Sequence, residues 1–250
     1  MVSTDCEPRP QSHAERLDAA RRSVEYICSR SPEQMLLPVP NCPGWTVYNA
    51  AVHIGRVGVA WRSMILATPD DPESRTRGYA DAEARGTGHP PHVLQGWAIA
   101  AIDALDDDTE RSCYFSMTGG EGTVALWAWH AASELAVHRL DVESALDEPH
   151  TMSATEVTDA LDYACSFFLP AMARVTGREP DRLDVVTSTG ARFQVGADAE
   201  AAVTLRGDTT DLLLAVWGRP HGDVAVDGDP TVLERWRSLP GEAFQFGTWD

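Results

Sequence analysis

The chain has 250 residues, longer than one average domain, and carries 38 acidic against 20 basic residues for a formal net charge of −18. A protein that neutralises nucleic-acid phosphates needs a basic footprint, which this composition lacks, so nucleic acid is excluded as a partner. Every basic residue other than histidine is arginine, which excludes a lysine Schiff base and a Walker-type phosphate lysine.

Hydrophobic residues make up 43% and charged residues 23%, a globular balance with no repeat or long charge block. Cys6, Cys28, Cys42, Cys113 and Cys165 are odd in number, scattered and never spaced C-x-x-C. That pattern points to a reducing cytoplasm, with neither a disulfide framework nor a zinc ribbon. The opening "MVSTDCEPRPQSHAERL" lacks an apolar signal core, and no apolar run nears the roughly 20 residues that span a bilayer.

The first expected element is a helix over residues 12–30, where Leu17, Ala20, Val24 and Ile27 recur at helical spacing before Pro32. A second follows the Pro43-Gly44 turn, with Val47, Ala50, Ile54, Val57, Trp61 and Ile65 on one face and His53 near its middle. Residues 70–89 are polar and read as a long loop. A third helix is expected over 91–105, a fourth over 124–146, and a fifth over 153–175, capped by Ser153 with Glu156 three positions on.

Beyond Arg178 the pattern changes to short β-branched runs, "RLDVVTS", "ARFQVG" and "AAVTLRG", which read as strands. "DTTDLLLAVWG" and "PTVLERW" resume helical spacing around a further strand, "DVAVDG". The class is therefore α+β. A helical bundle is expected over residues 1–177 and a small α/β domain over 178–250.

The chemistry concentrates on the fourth helix. Trp127, Ala131, Glu134, His138 and Asp141 follow a 4,3,4,3 spacing that stays within one narrow stripe. Its second half sets charged or polar groups where core residues belong, and a buried carboxylate is costly unless it is paired, protonated or bound to a metal. Glu134 and His138, about one turn apart, can converge on one ion. The third ligand is His53 or His130; His53 is preferred, because residues four apart drift by about 40° per step from a common face. Two histidines and a glutamate with one open position form the ligand set of a catalytic zinc centre. Asp141 and Arg139 are placed behind the ligands, as a partner for the ligand histidine or in a solvated ion pair. Trp45, Trp127 and Trp129 are expected to pack the bundle, Trp45 also contacting the cofactor. Cys42 borders the site motif, and the glycines of "MTGGEGT", with no strand ahead of them, make a poor phosphate cradle.

Three stretches in series, "NCPGWTVYNAAVHIGRV", "WHAASELAVHRLDVESA" and "GDTTDLLLAVWGR" with "VAVDGDPTVLERW", carry a family likeness over nearly the whole chain. They resemble the mycothiol-dependent maleylpyruvate isomerase family within the DinB-like metal-binding superfamily. The resemblance implies a DinB-like four-helix bundle holding a divalent ion, usually zinc, and a C-terminal domain similar to sterol-carrier-protein folds. It implies His53, Glu134 and His138 as the metal ligands. It also implies Arg219 as a residue facing the site, there to bind a substrate carboxylate or the thiol cofactor, mycothiol. The reaction so implied is attack of a low-molecular-weight thiolate on a small electrophile, by isomerisation or S-conjugation, in a monomer or weak dimer. The chain departs from the family pattern at Tyr48-Asn49, where relatives carry an Arg-Asp pair, so maleylpyruvate is one of several electrophiles the resemblance admits. A metal-dependent hydrolase and a non-catalytic small-molecule binder are the rival readings.

Overall fold

The computed structural model describes residues 10–243; Cys6 and the outer ends of both expected domains lie outside the described residues. Among these residues, ten α-helices and six strands are arranged as a helical half followed by a sheet half.

The bundle is formed by α1 (His13–Cys28), α3 (Val47–Ile65), α5 (Pro91–Asp103) and α6 (Val124–Ala145), with the short α2 (Pro32–Met35) between the first two. α1 and α3 begin at capping boxes, Ser12 with Glu15 and Thr46 with Asn49, which satisfy backbone N–H groups the first turn would leave unpaired. Asn49 thus does local work: its Oδ1 accepts from the Thr46 N–H and hydroxyl at 2.8 Å each. α6 starts at Thr123, whose hydroxyl accepts from the Leu126 N–H, and is buried over most of its circumference. A helix apolar on nearly all sides belongs in the centre of a fold, which is where α6 sits, against α1 and α3.

Residues 73–85 form a helix, α4 (Glu73–Arg85), in the stretch expected to be a loop. Its buried residues are Ser74, Gly78 and Ala82, a stripe of small side chains at four-residue spacing. Gly78 lies so close to α3 that an added Cβ would meet the Ala60 carbonyl oxygen at 2.8 Å. Close backbone approach replaces large apolar contacts here, and apolar periodicity therefore misses the helix.

Between α5 and α6 the chain makes a hairpin of β1 (Ser112–Phe115) and β2 (Gly120–Thr123), so a strand does precede the glycines of 119–122, contrary to expectation. The expected fifth helix begins at Ser153 with its capping box but is not regular throughout. It runs as α7 (Ala154–Asp162), a π-helical turn over Tyr163–Phe168, and α8 (Leu169–Thr176). Pro170 explains the break: proline has no N–H to donate, and its ring crowds the carbonyl four residues earlier, so the wider turn makes room.

The sheet half holds β3 (Leu183–Thr187), β4 (Arg192–Val195), β5 (Val203–Gly207) and β6 (Ala225–Gly228) in the order β4-β3-β5-β6. β3 runs antiparallel to β4 and parallel to β5, and β6 closes antiparallel on β5. α9 (Thr209–Val216), capped by Asp208, and α10 (Pro230–Ala243) pack this half against α7 and α8. Phe168 stacks on Trp217 across that junction, with centroids 4.6 Å apart. Among the described residues no helix is long and apolar enough to cross a membrane.

Candidate metal centre and cavity

His53 projects from the middle of α3 toward α6, where Glu134 and His138 stand one turn apart. The structure brings these three together: one donor atom from each lies within 4.8 Å of the others. His53 Nε2 is 3.9 Å and His138 Nε2 3.4 Å from Glu134 Oε1. Neither separation makes the trio a set of short hydrogen bonds, and the buried His53 Nε2 has no hydrogen-bond partner among the described residues. An orphaned buried nitrogen facing a carboxylate and a second imidazole is the donor arrangement that suits a divalent ion.

Trp45 covers the pair of imidazoles, stacked on His138 with centroids 6.1 Å apart and tilted on His53 at 5.1 Å. The turn before α3 places it there: Gly44 takes a positive φ of 86°, the Trp45 N–H donates to Cys42, and Val39 donates back to the Trp45 carbonyl.

Asp141 is completely buried and stands behind the trio, with Oδ2 3.2 Å from His138 Nδ1, although the pair is not aligned for a straight hydrogen bond. It accepts from Arg219 Nε at 3.3 Å and Nη2 at 3.1 Å, and from the Cys42 thiol at 3.4 Å. It is therefore no solvated ion pair. Arg139 points elsewhere, donating to the buried Glu143 at 3.0 Å and to Thr151, and plays no part at the site. Arg219 reaches the cavity from the loop after α9, and its Nη1 also donates to the Trp217 carbonyl near the end of that helix.

These contacts set the ionisation. Burial favours neutral His53 and lowers its pKa, with the neighbouring His138 pushing the same way. Burial works in that direction on His138 too, but Asp141 and Glu134 outweigh it and raise the imidazole to about 9. Glu134 and Asp141 stay ionised, because the imidazoles, and for Asp141 also Arg219, overcome the cost of burial. Burial, then the charge of Asp141, pushes the Cys42 thiol up to about 12.

The trio opens onto a cavity of about 560 Å³, a volume suited to a small molecule. Its walls come from both halves of the chain: Trp61, Met64 and Trp127 from the bundle, Val216, Trp217 and Arg219 from the sheet half. Tyr79 also lines it, from the helix that apolar periodicity misses. His130, the alternative ligand, stands apart from the trio and is bonded through Nδ1 to Tyr163 at 2.7 Å. Trp127 and Trp129 pack as expected, their indole N–H groups donating to the Tyr114 and Asp159 carbonyls, though Trp127 also faces the cavity. Trp217, on the cavity wall, and Tyr163, buried behind His130, are not legible as parts of the site, since nothing in their local sequence sets them apart from packing aromatics.

Two family models divide the chain between them. Residues 13–143 match the mycothiol maleylpyruvate isomerase N-terminal domain, and residues 151–235 match the C-terminal domain of the same family. Among solved structures, a crystal structure of the mycothiol-dependent maleylpyruvate isomerase superposes with a TM-score of 0.59 at 16% identity, covering 87% of this chain and 93% of that one. A histidine-to-alanine mutant of a protein so named superposes with a TM-score of 0.61 at 15% identity and the same coverage. No curated protein sequence matches the chain. The structural likeness shows a shared fold, and the family models, which span the bundle and the sheet half in turn, show that the chain belongs to the mycothiol-dependent maleylpyruvate isomerase family.

Proposed function

We propose that the protein is a metal-dependent thiol transferase or isomerase that uses mycothiol against a small electrophile. Candidate electrophiles are a maleylpyruvate-like alkene, an epoxide or an activated biosynthetic intermediate. The observation that carries this reading is the trio on the cavity wall, with its donors within 4.8 Å of one another and the His53 Nε2 without a hydrogen-bond partner among the described residues. His53, Glu134 and His138 would hold a divalent ion, zinc suiting two imidazoles and a carboxylate. Bound there, such an ion lowers the pKa of a thiol that ligates it, so that thiolate is available at neutral pH.

The chain's own residues supply position and environment. Trp45 fixes the faces of both imidazoles, and Asp141 orients His138 from the side away from the cavity. Arg219 keeps Asp141 ionised and retains further N–H groups for an anionic part of the thiol or the electrophile. The apolar walls exclude water and hold the electrophile against the sulfur. Addition of the thiolate to a conjugated alkene, rotation about the new single bond and expulsion of the same thiolate yield the isomer and return the thiol. Opening of an epoxide instead leaves the thioether as product.

The test is elemental analysis of the purified protein combined with mycothiol-dependent turnover of maleylpyruvate and of a panel of epoxides. His53→Ala and His138→Ala are expected to lose metal and turnover together. Stoichiometric metal in both variants, or equal turnover without thiol as in a hydrolase, overturns the proposal.

A further inference from the structure

His130 lies on α6 one turn ahead of Glu134, lines the cavity and is 7% exposed. Its partner Tyr163 is fully buried in the π-helical turn, and the only hydrogen bond of that phenol among the described residues joins it to His130 Nδ1, at 2.7 Å. A buried hydroxyl donates its proton where an acceptor exists, so Nδ1 accepts and the imidazole proton sits on Nε2. Nε2 has no protein partner among the described residues, yet it is not sealed off. It therefore faces the cavity as a free donor.

The wall around this donor is aromatic and apolar, and the nearest charge, the Glu134 carboxylate one turn along α6, disfavours a second anion beside it. Trp61 and Trp127 meet the imidazole ring edge-on at 5.0 and 5.5 Å, and Met64 and Met117 continue the wall. The two guanidinium groups on the cavity, Arg219 and Arg237, are tied to Asp141 and Glu234. Burial lowers the His130 pKa to about 4, so the ring stays neutral in ordinary buffers. A neutral N–H donor set in an aromatic wall suits an uncharged acceptor on a planar molecule better than a carboxylate.

We propose that His130 donates from Nε2 to a carbonyl oxygen of the electrophile, a planar conjugated carbonyl compound whose uncharged part lies against Trp61 and Trp127. Tyr163 is then a positioning residue, holding the imidazole in the tautomer that can donate. The inference rests on the reading of this cavity as the electrophile's site.

The experiment uses the zinc-loaded full chain with 4-phenylbut-3-en-2-one as probe and no thiol present. Imidazole ¹⁵N NMR is expected to show neutral His130 protonated on Nε2, with that resonance shifting as the probe saturates, and Tyr163→Phe to mix the tautomers. By tryptophan fluorescence, His130→Phe is expected to weaken probe binding about threefold to tenfold, the worth of one hydrogen bond, while His130→Gln, which keeps a donor near that point, stays within about twofold. Zinc content is expected to be unchanged in every variant. A proton on Nδ1, a wild type that does not bind the probe, equal binding by His130→Phe, or loss of zinc from that variant each overturns the inference. Because no turnover is measured, probe binding through His130 in a protein without mycothiol-dependent activity would sink the proposed function and leave this inference standing.

Discussion

Asp141 ties together a candidate ligand, a thiol and an arginine from the other half of the chain, and its neighbours show how one buried carboxylate sets the protonation of several groups. The Cys42 thiol, raised to about 12 by burial and by Asp141, stays protonated and is a poor nucleophile. Cys42→Ser should therefore keep turnover within about twofold, and iodoacetamide should alkylate Cys42 slowly at pH 8; a large loss of turnover would place this sulfur in the chemistry. His138 gives the pH dependence. In the metal-free protein its pKa is raised from 6.5 to about 9, so its ion-pair stabilisation is complete below the unfolded value and is lost as pH rises through about 9. Metal-free protein should accordingly become easier to unfold in urea from pH 6.5 to 9. An ion needs the neutral imidazole, so metal affinity should rise across the same window, by up to about tenfold per pH unit for one displaced proton. Affinity independent of pH would remove His138 from the ligand set.

At the scale of elements, the large helices were legible because leucine, isoleucine, valine and tryptophan mark their buried faces. α4 was not, because its buried face is Ser74, Gly78 and Ala82, which carry almost no hydrophobic signal. Contact through backbone rather than side chains makes α4 sensitive to volume: Gly78→Ala would set a methyl group 2.8 Å from the Ala60 carbonyl oxygen. The expected cost is about 1–3 kcal/mol, read from urea unfolding. Tyr79, next in sequence and on the cavity wall, would shift with the helix, so ligand affinity should fall as well. A Gly78→Ala protein of unchanged stability would mean that α4 does not pack this closely. The π-helical turn was likewise beyond periodicity, since Pro170 announces a break and leaves open whether the chain bends, stops or widens.

At the scale of the whole molecule, the cavity exists because the sheet half folds back over the bundle. Val216, Trp217 and Arg219 close what the helices leave open, and the Arg219–Asp141 pair fastens the two halves. Arg219→Ala leaves a fully buried carboxylate without its guanidinium, and removing one partner of such a pair costs about 3–5 kcal/mol. Thermal unfolding of that variant should come several degrees lower, at roughly 2–4 °C per kcal/mol for a chain of this size. Arg219→Lys should recover only part of the loss, because an ammonium cannot form the two-pronged contact. An unchanged unfolding temperature in Arg219→Ala would show that the halves are held by apolar packing alone.

The sequence by itself determined the α+β class, the passage from a helical half to a sheet-containing half, and the presence of Glu134 and His138 on one stripe, because 3.6-residue and two-residue periodicities are local properties of the chain. Only the tertiary structure decided that His53 meets that stripe while His130 turns to Tyr163, that α4 exists, and that Arg219 pairs with Asp141. Those outcomes depend on which faces pack together across long separations in sequence, and local spacing carries no information about that.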